Sequence, residues 1–188
     1  MELRSLTPSP KSPPDNLLAR WGFSWPGLRD NRHGEWWLAA QLLLIAAHLL
    51  PPWPAPGSWG YAWPLPLAIG GAVVLLLGLG LAVQAFLHLG ASLSPLPQPM
   101  AGAALVTTGA YGRCRHPLYQ AILLCSLGVS LALGSLLHLG LGLALVLVLA
   151  GKARREERAL LALHPGYADY RAVTPAIMPG LPWLDWRT

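Results

Sequence analysis

The sequence predicts an all-α, polytopic membrane protein with about four transmembrane helices, the last two forming a C-terminal hairpin that leads into a cytoplasmic segment. Three observations carry this expectation. No Asp, Glu, Lys or Arg occurs from Trp36 to Gly112, nor from His116 to Gly151. The chain is 54% hydrophobic and 11% charged, where soluble domains carry roughly 25% charged residues. Its Lys and Arg also fall into three blocks that successive crossings bring to one side of a bilayer. A soluble helical bundle of this length needs a polar face on each helix, and these segments have none.

Residues 1–34 are polar and proline-rich and lack the apolar core of a signal peptide. They read as a flexible cytoplasmic tail with a short interfacial segment around Trp21 to Trp25, ahead of a membrane domain over 35–188. The first apolar segment, Trp36 to Leu50, is short for a span and closes at PPWPAP, because proline lacks the amide a helix needs. Tilt, or an extension back to His33, makes up the length. Trp53, Trp59, Tyr61 and Trp63 then fit an interfacial aromatic belt. The second segment, Trp63 to Gly90, is long enough to cross outright and is followed by the proline-rich loop SPLPQPM. Beyond it, the uncharged run from Leu118 to Ala150 would measure about 50 Å as one helix, against a hydrocarbon core of about 30 Å. Two helices folded back at residues 133–135, each roughly 24 Å long, accommodate it.

This arrangement is testable through charge. Arg4, Lys11, Arg20, Arg29 and Arg32 precede the first helix, and Arg113 and Arg115 lie between the second and third. Lys152, Arg154, Arg155, Arg158, Arg171 and Arg187 follow the fourth. All thirteen fall on one side, the cytoplasmic one by the positive-inside rule, whereas one long third helix sends the last six outside. Topology and lipid headgroups account for the net charge of +5 without nucleic acid. Cys114 and Cys125 form no zinc or disulfide pattern. His48, His88 and His138 read as packed helix residues, and no metal site is expected. The glycines of LGLGLA and LGLGLAL read as helix-packing contacts, since they lie inside apolar helices where no phosphate reaches.

The chemistry-bearing stretch is GAYGRCRHPLYQ, Gly109 to Gln120. Taken alone, Arg115 and His116 suit interfacial anchors ahead of Pro117 at a helix start, and GKARREER suits a positive-inside stop. The hairpin, however, brings Arg115, His116 and Tyr119 to the face where Lys152, Arg154, Arg155, Glu156 and Glu157 leave the membrane. Residues some forty positions apart become neighbours at a surface open to water and to lipid, the geometry of an enzyme joining a soluble donor to a lipid-embedded acceptor.

Leu105 through VTTGAYGRCRHPLYQ, the hairpin, and KARREERALLALHPGYADYRAVTPAIMPGLPW together resemble the isoprenylcysteine carboxyl methyltransferase family and its bacterial and phospholipid-methylating relatives, over residues 84 to 183. The resemblance implies an integral-membrane methyltransferase using S-adenosyl-L-methionine. It assigns Leu105, Val106 and Tyr111 to the nucleoside end of the cofactor site, and His116, Pro117, Leu118 and Tyr119 to its pocket. Glu156 matches the acid that holds the cofactor's ammonium group. Arg115 and Glu157 become catalytic candidates, with Glu157 alternatively organising the helix or Arg115. Lys152, with Arg155, becomes a substrate contact. Lys152 stands where prenylcysteine methyltransferases carry arginine, which keeps the charge and loses the planar two-donor fork. Ala121 replaces a glycine common in the family.

The partners this implies are the bilayer and a lipophilic or prenylated substrate. Carboxyl O-methylation of an isoprenylcysteine-like amphiphile is the expected reaction. N-methylation of a phospholipid amine headgroup is its alternative, and a non-catalytic membrane scaffold is a third reading. A carboxylate acceptor needs no base, whereas a protonated amine needs one, for which Glu157 and His116 are candidates.

Overall fold

The structure, a computed structural model, describes residues 25–60, 62–99, 102–178 and 181–186. The interfacial segment expected around Trp21 to Trp25 lies almost wholly outside these residues. A short helix α1 (Trp25–Asp30) precedes α2 (Glu35–Ala47), α3 (Leu65–Leu89), α4 (Pro117–Leu133), α5 (Leu136–Leu163), α6 (Tyr167–Val173) and α7 (Pro182–Asp185). The fold of the described residues is all-α, and α3 and α5 are long and apolar enough to span a membrane.

Helix α2 does not extend back to His33. Gly34 takes a left-handed conformation, φ 87°, and the Glu35 carboxylate accepts the His33 backbone amide at 3.0 Å, which fixes the start. At 13 residues it measures about 20 Å. Helix α3 begins beside Pro64 and Pro66, which suit a first turn because its amides lack intrahelical partners. The long apolar run breaks at Gly134, left-handed at φ 59°, and Ser135 caps α5 by accepting the His138 amide. Helix α5 is longer than its apolar part because it continues through Lys152–Leu163.

Helices α3 and α4 run antiparallel along a seam of small residues. A Cβ on Gly128 would stand 2.5 Å from the Leu75 amide nitrogen, and one on Gly78 would stand 2.7 Å from Cys125 Sγ. Such seams suit helices in lipid, where close backbone approach gains dispersion contacts. The glycine-packing expectation holds for Gly78 and Gly142, while Gly80 and Gly140 face open space. Ala121 is fully buried beside this seam.

At one end of the bundle, Trp53 exchanges hydrogen bonds with Ser135 Oγ and Trp63 donates to the Leu131 carbonyl at 2.8 Å. Here His48 bonds Ser126 and His138 bonds Ser135, both at 2.7 Å, so each ring has a local partner. At the other end, Arg155 donates to the Asn31 and Arg32 carbonyls, and Arg115 meets Glu157. The basic residues of three separate segments therefore gather at one end.

Candidate active site

The motif is held open by the C-terminal segment. His116 caps α4 at φ −125° and ψ 61°, as the residue before a proline is kept from helical geometry. The backbone amides of Arg115 and His116 donate to the Pro175 and Ala176 carbonyls at 2.9 and 3.0 Å. Ala176, Ile177 and Trp186 are buried against Tyr119, Leu149 and Ala153, so this clasp is anchored by apolar packing.

Beneath the motif lies a buried ionic knot. Glu157 Oε1 accepts from Arg115 Nε at 2.8 Å and bonds His116 Nε2 at 2.9 Å, while Oε2 stands 3.4 Å from Arg171 Nε. Arg115 also donates to the carbonyls of Arg171, Thr174 and Asp185. A guanidinium suits this place because its five fixed donors can satisfy several acceptors at once. His116 stacks on Tyr119 with ring centroids 5.1 Å apart, and its Nδ1 lies 3.8 Å from Glu156. Tyr119 donates to Glu156 Oε2 at 2.7 Å.

Above the knot is a cavity of about 520 Å³, within the range of small-molecule sites. Leu105, Val106, Tyr111, Arg115, His116, Leu118, Tyr119, Lys152 and Glu156 all line it. Three residues singled out in the sequence are not on its wall. Pro117 is buried at the start of α4, Arg155 is turned to the Asn31 and Arg32 carbonyls, and Glu157 lies behind His116 in the ionic knot.

Several wall residues carried no sequence signal for this site. Gln41 arrives from α2 and accepts from Lys152 Nζ at 2.7 Å. Residues 92–99, which read as a mere connector, form another wall, and His164, Tyr167 and Tyr170 close the α6 side. A polar residue within the apolar α2 was the available hint for Gln41. Both tyrosines lie in GYADY, a run with no local signal for a cavity wall.

Burial and the nearby Glu156 carboxylate push the Tyr111 phenol above its ordinary range, and burial does the same to Tyr170. Both stay protonated, and Tyr170 donates to the Tyr111 carbonyl. The Tyr167 phenol is likewise raised by burial, with the Glu157 carboxylate adding to it. Its hydroxyl is buried with no hydrogen-bond partner among the described residues. Such an orphan costs about 1–3 kcal/mol.

The described residues thus form an all-α fold with two helices long and apolar enough to cross a membrane, and a small-molecule cavity with Glu, His and Tyr on its wall. The profile described as PEMT, phospholipid methyltransferase, matches residues 67–164, from the start of α3 to the cavity residue His164, and the chain belongs to that family. It thus carries a methyltransferase domain whose cofactor is S-adenosyl-L-methionine. The donor set fits this group: Glu156 suits an ammonium, while the Tyr111 and Tyr119 rings and neighbouring leucines suit an apolar nucleoside face.

Two relatives are the cobalt-zinc-cadmium resistance protein CzcN of Cupriavidus metallidurans, 42% identical over 78 residues, and the nickel-cobalt-cadmium resistance protein NccN of Alcaligenes xylosoxydans xylosoxydans, 38% identical over 78. Each match spans 41% of this chain, and 36% and 37% respectively of the relatives' own lengths. No solved structure matches. Among the described residues there is no cluster of three or more His, Cys, Asp or Glu able to hold a metal ion.

Proposed function

We propose that this protein methylates the amine headgroup of a phospholipid, as a four-span membrane enzyme with both termini on the cytoplasmic side. The single observation that carries the reading is the polarity of the cavity. Glu156 and His116 stand on its wall with Lys152, while Leu42 of α2 and Phe86 of α3 line the same cavity and are 55% and 53% exposed. A lipid headgroup reaches the polar wall by that apolar route, with its tails remaining outside. The family match favours this acceptor over the prenylated carboxylate.

S-adenosyl-L-methionine supplies an activated methyl group, so the protein's tasks are orientation, exclusion of water and management of one proton. Glu156 holds the cofactor's ammonium, with Tyr119 fixing the carboxylate. An ammonium acceptor has no lone pair until it loses a proton. His116 is placed to receive it, because it lines the cavity while Glu157 does not. Glu157 and Arg115 then act as positioning residues, the former holding His116 Nε2 so that Nδ1 faces the Glu156 side. Lys152 offers its charge to the lipid phosphate.

The test is transfer of labelled methyl from S-adenosylmethionine by purified protein to phosphatidylethanolamine vesicles and, separately, to N-acetyl-S-farnesylcysteine. Label on a base-stable N-methylated lipid is the expected result. Label released as methanol by mild base from the prenylcysteine alone would replace this reading with carboxyl methylation.

A further inference from the structure

Lys152 is 3% exposed, yet no carboxylate lies within ion-pair distance of it among the described residues. Its Nζ donates one hydrogen bond, to Gln41 Oε1 at 2.7 Å, and lies 5.3 Å over the Tyr119 ring. Two of the three ammonium donors remain unspent. The Glu156 carboxylate acts on this ammonium only from beyond ion-pair distance, and a buried cation without a direct ionic partner is unfavourable, with a face-on aromatic ring offsetting only part of the lost hydration. Such a group is incomplete until an anion enters the cavity it lines.

Gln41 bears on which anion. It lines the same cavity and is 8% exposed, in an α2 otherwise built of apolar residues at this level. Because lysine only donates, its hydrogen bond fixes the amide's orientation: the oxygen faces Lys152, and the Nε2 donors are left on the other branch. Those donors have no acceptor among the described residues. One amide therefore does two things: it pins Nζ in place and presents a second N–H group beside it.

We propose that Gln41 and Lys152 form a two-donor clamp, assembled from α2 and α5, that binds two oxygens of the acceptor's anionic headgroup, with Gln41 as a specificity-determining residue. The pair restores from two helices the fork that a lysine alone lacks beside an arginine. It also gives a role to α2, which lies outside the matched segment 67–164. The phosphodiester of a phospholipid is the assigned occupant, and in that choice the inference rests on the proposed function. A carboxylate shares the two-oxygen chemistry.

The experiment measures binding of lysophosphatidylethanolamine and of N-acetyl-S-farnesylcysteine by calorimetry on detergent-solubilised full chain saturated with S-adenosylhomocysteine. Gln41→Leu is expected to weaken the phospholipid probe about ten-fold, the value of one hydrogen bond to a charged group. Gln41→Glu should weaken it further, because a carboxylate keeps Lys152 but repels the anion. Adding Lys152→Arg to Gln41→Leu should recover most of the loss, since guanidinium carries its own fork, and a merely structural glutamine would not be rescued this way. S-adenosylhomocysteine affinity should stay unchanged in Gln41→Leu; a matching loss there would assign the clamp to the cofactor's carboxylate and overturn the proposal. Undiminished probe binding in Gln41→Leu, or none in the wild type, would overturn it as well. Tighter clamp-dependent binding of the prenylcysteine than of the lipid keeps the two-donor clamp and overturns its phosphodiester assignment. Methyl transfer to phosphatidylethanolamine without any Gln41 effect leaves the proposed reaction standing and removes the clamp.

Discussion

Replacing Glu157 with Gln tests whether this carboxylate is a strut or a proton carrier. Its side chain is 4% exposed and that of Arg115 is 1% exposed, so solvent screens their 2.8 Å pair little. Removing one member of a buried ion pair destabilises a protein by about 3–5 kcal/mol, chiefly because the other charge is left without compensation. Gln keeps one acceptor for Arg115, and the carbonyls of Arg171, Thr174 and Asp185 still receive the guanidinium, which places the expected loss near the lower bound, about 3 kcal/mol. That is over a hundred-fold in the ratio of folded to unfolded protein. The assay is unfolding by SDS in mixed micelles, followed by tryptophan fluorescence. Arg115→Met combined with Glu157→Leu should recover part of the loss, and only part, because the three carbonyls then lose their donor. A Glu157→Gln protein that unfolds at the wild-type midpoint while methyl transfer disappears would refute the strut and return Glu157 to the proton-transfer step.

Three further outcomes follow from the geometry. Burial pushes the Cys114 thiol up to about 11, against the smaller opposing pull of the His116 amide and Arg115, so iodoacetamide at pH 8 should modify it on the order of a hundred-fold more slowly than an ordinary thiol. Because the folded state holds this proton more tightly than the unfolded one, its stabilising contribution is complete below the ordinary thiol range and is lost as pH rises through about 11; ordinary labelling at pH 8, read by mass spectrometry, would contradict the burial. Gly78→Val must push its Cβ against Cys125, 2.7 Å from Sγ and 2.9 Å from the amide, and should cost about 1–3 kcal/mol in the same unfolding assay, whereas Gly80→Val meets nothing within 4 Å and should leave the midpoint unchanged. With Cys114 and Cys125 replaced, single cysteines at Ser58 and Gln98 should label from opposite faces of sealed vesicles, and labelling from the same face would overturn the four-span arrangement.

What the sequence disclosed was whatever depends on local runs or on one short motif. Charge-free segments and the Gly134–Ser135 break are written in consecutive residues, so α2, α3, α4 and the start of α5 were legible to within a few positions, whereas the run of α5 on to Leu163 was not. The polar wall was legible for a similar reason: the stretch Tyr111–Tyr119 and the acids after Lys152 are each compact, and one chain reversal brings them together. Gln41 was not legible. Nothing in EWWLAAQLLLIAA says that its one amide faces Lys152 rather than lipid, because that depends on the rotation of α2 about its axis and on its depth against α5. The turn of Arg155 to the Asn31 and Arg32 carbonyls is hidden for the same reason, since it rests on a contact across more than a hundred residues.

That division has a consequence for how this site acquires its selectivity. On the proposed reading the groups around the cofactor end are Glu156 of α5, Tyr119 of α4 and His116 at the start of α4, all inside the segment matched by the family. They are stiffened from behind by an ionic knot and by the contacts of Pro175, Ala176, Ile177 and Trp186. The acceptor end proposed above instead adds to Lys152 of α5 the helix α2, outside the match, and a loop with little regular structure around residues 92–99. Changes at Leu38, Gln41 or Leu42 can therefore reshape what enters without disturbing the Arg115–Glu157 contact that positions His116. On the proposed reading the two ends share α5 through Lys152, and what sets the acceptor end apart is Gln41 on α2, outside the matched segment, where acceptor preference can diverge while the groups on α4 and α5 are kept.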